Sequence, residues 1–310
     1  MKAIVLAKTG GIEELKVVDI EKPSIKEGEV LVQVKAIGIN PVDVKTRTGS
    51  GVYGRINTES PLIIGWDIAG VVTEANNATF SPGDEVFGMV NFPGHGKAYA
   101  QFVAVPANQL ALKPANISFE EAAAATLAAL TAYQALVKNA NITAGKRVLI
   151  HAAAGGVGHF AVQIAKHLGA HVTGTSSAAN RNFVLSLGAD EHIDYKNHNW
   201  QQSENSFDLT LDAVGGDNLN LSINVTKPGG SFISILGLND ERKAKATDKG
   251  VNGNAILVYS SGEDMNVIAG WLQKGILKAH VAAIFPFEKM GEAHLAVETG
   301  RTVGKVVVVV

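Results

Sequence analysis

The sequence contains no cysteine, and this absence excludes disulfide bonds and zinc sites built on thiolates. Charged residues are scarce and balanced: they make up 18% of the chain, and the formal net charge is −2. Such a balance predicts neither nucleic acid nor an anionic membrane surface as a partner. Long apolar runs are also missing, because residues 1–6 are too few for a signal peptide and no run approaches the length of a membrane span. These absences together predict a protein of the reducing cytoplasm.

A strand, a turn of small residues and a helix are indicated in the middle of the chain. A strand over 147–151, with apolar residues at 148–150, leads into the turn, and an apolar-periodic helix is predicted over 156–168. The three glycine positions of a dinucleotide-binding turn fall on Ala153, Gly155 and Gly158, with alanine in place of the first glycine. Free N–H groups of the first helical turn, those of Gly156 and Val157 among them, attract a phosphate. Small-residue turns also form for packing reasons alone, so the interpretation depends on the pattern around the turn.

The segments before and after this turn differ in their patterns. Up to about residue 115, short strands punctuated by Gly and Pro indicate a small β-barrel. Beyond Ser118, helices alternate with six strands, a pattern typical of an open parallel sheet, and the last residues leave this pattern again. We therefore predict an α/β protein with one domain over residues 1–117 and 285–310 and a doubly wound parallel-sheet domain over residues 118–284. Within them we predict one helix over 118–136, a polar loop over 238–253 and a strand over 255–259.

The residues after the second strand of this sheet indicate which cofactor binds. A site that prefers NADH carries Asp or Glu about 20 residues beyond the glycine turn. Here Ser176 and Ser177 occupy that place, and no carboxylate follows before Asp190. Hydroxyl groups together with the nearby guanidinium of Arg181 would hold a 2′-phosphate, so we predict NADPH as the cofactor. An ordinary polar loop with a solvated arginine is the alternative interpretation.

The chain also resembles the medium-chain dehydrogenase/reductase superfamily, and most closely its zinc-independent, zeta-crystallin-like quinone oxidoreductase branch. The matching stretches span nearly the whole chain in the family's order: residues 38–43, 65–72, 82–86, 130–133, 151–158, 187–190 and 304–307. The resemblance implies a GroES-like β-barrel as catalytic domain, a Rossmann domain that binds the cofactor, and a homodimer formed through the edge of the Rossmann sheet.

The positions that hold catalytic zinc in other members of the superfamily carry different residues here. By the resemblance, Asn40 and Trp66 stand at two of these positions and Leu127 lies near the third. None of the three is a usual zinc ligand. We therefore predict no metal.

The resemblance further suggests which side chains form the site. It implies that Asn40 and Tyr53 lie near the substrate as catalytic hydrogen-bond donors, with Thr131 near the nicotinamide and Tyr195 near the adenosine phosphate. Either Tyr53 or water donates the proton. Lys305 either reaches the cofactor from the barrel domain or is an ordinary surface lysine. The predicted cofactor contacts are completed by residues at the ends of the last strands: Val214, Leu236 and Val258.

Without a metal to stabilise an alkoxide, reduction of a quinone or an α,β-unsaturated carbonyl is the reaction we expect. The acceptor is already electrophilic, so the protein mainly has to position the nicotinamide and exclude water. Two alternatives remain: an alkenal or enoyl thioester reductase of the same fold, and a nucleotide-binding protein with little turnover.

Overall fold

The computed structural model describes all 310 residues, and the chain divides into two compact units. The first unit comprises Met1–Leu130 and Val258–Val310, and the second comprises Thr131–Leu257. The predicted limits at residues 118 and 284 stay a prediction, and the segments 118–130 and 258–284 lie in the first unit. No helix combines the length and the apolar character that crossing a bilayer requires.

Fifteen β-strands form three sheets. In chain order they are β1 (Lys2–Leu6), β2 (Leu15–Asp19), β3 (Glu29–Ile39), β4 (Asp67–Ala75), β5 (Glu85–Met89), β6 (Phe102–Pro106), β7 (Leu110–Leu112), β8 (Arg147–Ile150), β9 (His171–Ser176), β10 (Glu191–Asp194), β11 (Phe207–Asp212), β12 (Thr226–Ser234), β13 (Asn252–Ala255), β14 (Val281–Pro286) and β15 (Lys305–Val309).

Ten α-helices connect or flank these strands. They are α1 (Pro41–Arg47), α2 (Tyr53–Ile56), α3 (Phe119–Ala124), α4 (Leu127–Tyr133), α5 (Gly156–His167), α6 (Arg181–Ser186), α7 (Asn218–Val225), α8 (Asp240–Asp248), α9 (Gly262–Gln273) and α10 (Met290–Glu298). A π-helical segment, Gln134–Asn139, continues α4.

The first unit is built on a seven-stranded sheet around the long strand β3. The strand order is β14-β15-β3-β4-β5-β7, and β6 also pairs with β3. All these pairings are antiparallel except that of β14 with β15. Because β3 has partners along both edges, most of its side chains are buried, including Leu31, which a simple alternation would expose. The carboxyl end of β3 and the start of β15 therefore meet in the interior of this unit.

The second unit contains a six-stranded sheet in which every pairing is parallel, as predicted. The strand order β10-β9-β8-β11-β12-β13 places β8 and β11 at the centre. The chain reverses its direction of winding between β8 and β11, which is the switch point where open α/β sheets bind ligands. Apolar residues of α5, among them Phe160 and Ile164, are completely buried.

The long helix predicted over residues 118–136 is wrong, since the structure breaks it into α3 and α4. The hydroxyl of Thr126 donates to the carbonyl oxygen of Ala123 at 2.8 Å, which satisfies a group at the end of α3. The side chain of Asp67, from β4, accepts from the N–H of Leu127 at 3.1 Å and so caps α4. A residue 60 positions away in the chain causes the break, and local helix propensity does not reveal it.

The segment 238–253 contains a helix and a strand where a polar loop was predicted. Helix α8 begins after Asn239, whose side chain accepts from the N–H of Arg242 at 3.0 Å. Its buried residue Ala246 joins an apolar cluster with Phe232 of β12. The strand predicted over 255–259 lies three residues earlier, as β13, because the turn after α8 places Val251 in the same cluster.

Candidate functional site

The glycine turn follows β8 and ends at Gly155, which is the N-cap of α5. A Cβ atom on Gly158 would lie 2.1 Å from the carbonyl oxygen of Ala152, so only glycine lets the first turn of α5 pack this closely on the loop. The N–H of Ala153 donates to the carbonyl oxygen of Thr175 at 2.8 Å and ties the turn to the end of β9. The N-terminus of the 12-residue helix α5 thereby lies where its N–H groups can bind an anion.

Alanine at the first glycine position is accommodated by a glycine on the neighbouring strand. A Cβ atom on Gly174 of β9 would lie 2.8 Å from the Cβ of Ala153 and 2.6 Å from Cγ1 of Val184. The methyl group of Ala153 thus fills space that Gly174 leaves open. The departure from the dinucleotide-binding pattern therefore does not distort the turn.

His151, at the start of the same turn, packs at the end of its strand. Its ring is buried, with Nδ1 3.2 Å from the hydroxyl of Thr175. Burial lowers the pKa of His151 to about 4, and the carboxylate of Asp212 only partly opposes this. The imidazole is therefore neutral at physiological pH and adds no charge to the turn. Only the backbone N–H groups of the turn attract an anion.

The end of β9 brings together the residues predicted to hold a 2′-phosphate. The buried hydroxyl of Ser176 lies 3.0 Å from the carbonyl oxygen of Ser177, and the N–H of Tyr195 donates to the carbonyl oxygen of Ser176 at 3.3 Å. Arg181 is exposed at the start of α6. This end of the sheet therefore offers hydroxyl and guanidinium groups.

Partly exposed apolar and aromatic side chains line the carboxyl edge of the parallel sheet. One such residue follows each of four strands: Tyr195 after β10, Val214 after β11, Leu236 after β12 and Leu257 after β13, with exposed fractions of 46% to 55%. Large apolar groups exposed at this edge leave a surface that a flat ring system can cover. The residues present therefore fit a dinucleotide: an apolar edge beside a helix N-terminus that takes phosphate.

Asp212 shapes this edge and was missed by the sequence analysis. Its Oδ1 accepts from the N–H groups of Val214 and Gly215, each at 2.8 Å, and its Oδ2 accepts from Asn218 and Ser222. Gly215 and Gly216 follow with φ values of 75° and 58°, which favour glycine. Asp212 thus holds the turn that presents Val214.

Two of the predicted cofactor contacts are buried. Val258 is only 6% exposed and belongs to the first unit, and the exposed residue at the end of β13 is its neighbour Leu257. The strand lies three residues earlier than expected, and the predicted cofactor contact of Val258 stays a prediction. Thr131 is 4% exposed within α4, and its predicted role near the nicotinamide stays a prediction.

In the first unit, Lys305 lies in a buried polar network. Its ammonium donates to the carbonyl oxygen of Ile39 at 3.0 Å and to the side-chain oxygen of Asn40. The side chain is 3% exposed, so the alternative of an ordinary surface lysine is wrong, and the contact of Lys305 with the cofactor stays a prediction. Burial lowers the pKa of Lys305, and the carboxylates of Asp67 and Asp43 oppose that shift.

Asn40 is also committed to this network. Its amide nitrogen donates to Oδ2 of Asp67 at 2.7 Å, its amide oxygen accepts from Lys305, and its backbone N–H donates to Oδ2 of Asp43 at 2.5 Å. The residue is 1% exposed. The polar atoms of Asn40 hold β3, β4 and β15 together, and its predicted role as a donor to the substrate stays a prediction. Tyr53, the second predicted catalytic residue, is half-buried on α2.

The pKa values of Asp43 and Asp67 are both raised above that of an ordinary aspartate. Burial is the main cause that raises the pKa of Asp43 to about 8, and the charge of Asp67 adds to it. Burial also raises the pKa of Asp67, opposed first by Lys305 and then by its hydrogen bonds. One ammonium thus faces two carboxyl groups whose pKa values are both raised by burial.

Comparison with known proteins decides the family. The family described as "Alcohol dehydrogenase GroES-like domain" matches residues 26–115, and "Zinc-binding dehydrogenase" matches residues 187–308. The chain is 35% identical, over 99% of its length and 79% of the relative's, to a 2-methylene-furan-3-one reductase of Solanum lycopersicum. The same figures apply to an NADPH-dependent alkenal/one oxidoreductase, chloroplastic, of Arabidopsis thaliana. A solved quinone oxidoreductase from Coxiella burnetii superposes with a TM-score of 0.94 at 33% identity, over 100% of this chain and 99% of that one.

The chain belongs to the medium-chain dehydrogenase/reductase superfamily. The predicted fold of a GroES-like domain with a Rossmann sheet is thereby confirmed. The relatives include a chloroplastic and a mitochondrial form, so a cytoplasmic location stays a prediction.

In this member of the superfamily, the zinc-ligand positions implied by the resemblance are occupied by packing groups. Trp66 is fully buried, and its indole N–H donates to the carbonyl oxygen of Gly94 at 2.7 Å. Leu127 is buried at the start of α4. No group of three or more His, Cys, Asp or Glu side chains stands close enough to hold a metal ion. The absence of a metal remains a prediction.

Proposed function

We propose that this chain is an NADPH-dependent oxidoreductase that reduces a quinone or an α,β-unsaturated carbonyl compound. The observation that carries the proposal is the carboxyl edge of the parallel sheet, which combines the N-terminus of α5, hydroxyl and guanidinium groups, and several exposed apolar side chains. The relatives named as alkenal/one and quinone oxidoreductases support the same reaction class.

Each part of this edge has a role in holding the dinucleotide. The N–H groups of Gly156, Val157 and Gly158 at the start of α5 bind the pyrophosphate. Ser176, Ser177 and Arg181 hold the 2′-phosphate, which NADH lacks. Exposed apolar residues, Val214 and Leu236 among them, pack against the remainder of the cofactor. Tyr195 covers the adenosine end beside Ser176.

Bound NADPH supplies the hydride for this reaction. The chain's own task is to orient the cofactor and keep water away, because the acceptor delocalises the incoming negative charge itself. Tyr53 supplies a hydrogen bond to the acceptor oxygen. Asn40, whose amide also bonds Asp67 and Lys305, is the second proposed donor to the acceptor oxygen.

A homodimer also belongs to the proposal. Strand β13 is the last strand of the parallel sheet, so its outer edge is free to pair with another chain. Light scattering on the protein as it elutes from a size-exclusion column measures the oligomeric state. A monomer at micromolar protein concentration would contradict the proposed homodimer.

Two measurements test the proposed function. First, the dissociation constants for NADPH and NADH are determined by calorimetry, and we expect NADPH to bind more tightly. Second, NADPH oxidation is followed with a quinone, an alkenal, an enone and an enoyl thioester, and we expect turnover with at least one of the first three. Turnover confined to the thioester favours an enoyl thioester reductase, whereas tight NADPH binding without any turnover favours a nucleotide-binding protein.

A further inference from the structure

His192 lies directly beside the serine that we assign to the 2′-phosphate. Its Nε2 is 2.8 Å from the Ser176 hydroxyl oxygen, and the same oxygen is 3.0 Å from the carbonyl oxygen of Ser177. The register of β9 and β10 places His192 opposite Gly174, two residues before Ser176. The histidine is half-buried and Ser176 is buried, so this contact is part of the sheet edge.

We propose that His192 is a positioning residue for the 2′-phosphate of NADPH: its Nε2–H donates to Ser176 and leaves the serine hydroxyl free to donate to the phosphate. This inference rests on the proposed function, because it concerns the group that distinguishes NADPH from NADH. The role is indirect, since His192 acts on the phosphate through Ser176.

Proton counting on the serine hydroxyl supports this role. A serine carries a single hydroxyl proton. If Nε2 of His192 were bare, it would accept that proton, and Ser176 would have none to give. If Nε2 carries a proton, the serine oxygen accepts it, and the hydroxyl proton that now faces the Ser177 carbonyl can turn to a phosphate oxygen. A doubly protonated imidazole allows only this second arrangement and adds a positive charge near the phosphate.

The charged groups around His192 give the site a pH dependence. Burial lowers the pKa of His192, the guanidinium of Arg181 from α6 lowers it further, and the carboxylate of Asp194 on β10 opposes them. A bound phosphate dianion stabilises the protonated imidazole and so raises that pKa. NADPH binding therefore takes up a proton, and the NADPH affinity should rise as the pH falls toward the pKa of the complex.

The experiment compares the NADPH and NADH dissociation constants of the wild type with those of His192→Gln and His192→Leu between pH 5.5 and 8.5. Calorimetry in two buffers of different ionisation enthalpy measures the proton uptake directly. We expect His192→Leu to weaken NADPH binding roughly 3- to 10-fold, the value of one hydrogen bond, and to leave NADH binding unchanged. His192→Gln keeps an amide donor, so we expect it to retain most of the affinity and to lose the proton uptake.

The matched control is His171→Asn, which removes another histidine from the same strand pair. His171 stands at the opposite end of β9, with Nε2 3.7 Å from Glu191, and we expect wild-type affinities and proton uptake from this variant. The phosphate itself titrates near pH 6 in every variant, so the difference between wild type and His192→Gln isolates the histidine.

The outcomes separate this inference from the proposed function. Equal weakening of NADPH and NADH by both His192 variants, or an unchanged proton uptake in His192→Gln, overturns the positioning role and leaves the function intact. A wild type that binds NADPH no more tightly than NADH overturns the predicted cofactor, and the role of His192 with it.

Discussion

The ammonium of Lys305 and the carboxylate of Asp67 lie 3.8 Å apart in the interior of the first unit, with side-chain exposures of 3% and 0%. They come from β15 and β4, two strands far apart in the chain, and the amide of Asn40 bridges them. A buried ion pair of this kind contributes little net stability as a whole, but the loss of one partner leaves an uncompensated charge.

Replacement of Lys305 by methionine should therefore destabilise the protein by about 3–5 kcal/mol, measured as the free energy of unfolding in urea. The matched control is Lys22→Met, which breaks an exposed ion pair with Glu74 at 3.1 Å and should cost about 1 kcal/mol or less. The double variant Lys305→Met/Asp67→Asn should recover part of the loss, because the orphaned carboxylate is gone. Similar losses for Lys305→Met and Lys22→Met would show that the pair is not buried as described.

Asp43 gives the protein a stability that decreases with rising pH. Its pKa is raised from 3.8 to about 8, so the folded protein keeps a proton that the unfolded chain loses above pH 3.8. The contribution of Asp43 is fully present below pH 3.8 and is lost as the pH rises toward 8, with a slope of up to about 1.4 kcal/mol per pH unit.

The variant Asp43→Asn should remove that slope. Asparagine keeps an oxygen that can accept from the N–H of Asn40, so the N-terminus of α1 stays capped. We expect Asp43→Asn to be more stable than the wild type at pH 8, measured by urea unfolding between pH 4 and 8. If the unfolding free energies of the two proteins change in parallel with pH, the raised pKa of Asp43 is contradicted.

His294 gives the stability the opposite pH dependence to that of Asp43, because it makes the protein less stable as the pH falls. Its Nε2 lies 2.8 Å from the hydroxyl of Tyr99, and burial, assisted by Arg47, lowers its pKa to about 3. The unfolded chain binds a proton at this histidine below pH 6.5, whereas the folded protein does not, so stability is lost as the pH falls from 6.5 toward 3.

We expect His294→Gln to lose less stability than the wild type between pH 6.5 and 4, because the amide can bond Tyr99 without titrating. Thermal unfolding across this range measures the effect. If the variant loses as much stability as the wild type on acidification, other groups carry the acid dependence.

The parts of the site that depend on short-range signals were predictable from the sequence. The glycine turn, α5 and the serines at the end of β9 lie within about 30 residues, and each has its own pattern of glycines, apolar periodicity or hydroxyl groups. Helix α8 had such a signal too, in the cap residue Asn239 and the acidic first turn, but its polar composition led to a loop prediction.

The buried network of the first unit was not predictable in the same way. Lys305 and Asn40 are 265 residues apart, and a lysine at the start of a valine-rich strand gives no sign that it will be buried. Only the pairing of β15 with β3 brings the ammonium to the carbonyl of Ile39. His192 was missed for the same reason, because Ser176 lies on the neighbouring strand, and two of the four partners of Asp212 lie on the following helix.

The close packing of α5 on the glycine turn predicts a specific sensitivity at Gly158. In Gly158→Ala the new Cβ atom would meet the carbonyl oxygen of Ala152 at 2.1 Å, so the turn has to shift. We expect a loss of about 1–3 kcal/mol in unfolding free energy and a weaker NADPH affinity. The control is Gly270→Ala in α9, where nothing lies within 4 Å of the added methyl group and a gain of about 0.5–1 kcal/mol is expected. Equal effects at the two glycines would contradict the packing argument.

Arg181 provides the most direct test of the phosphate site. It is exposed at the start of α6, and its positive charge lowers the pKa of His192, which lies beside Ser176. A charge-assisted contact contributes about 1.5–3 kcal/mol, so Arg181→Ala should weaken NADPH binding about 10- to 150-fold. NADH has no 2′-phosphate, so its dissociation constant should stay within about twofold of the wild-type value. Because the contact is exposed to solvent, the effect should also shrink at high salt, and calorimetric titrations at about 0.05 and 0.5 M salt measure this dependence. Loss of affinity for both cofactors alike would place Arg181 outside the phosphate site and assign it to the folding of α6.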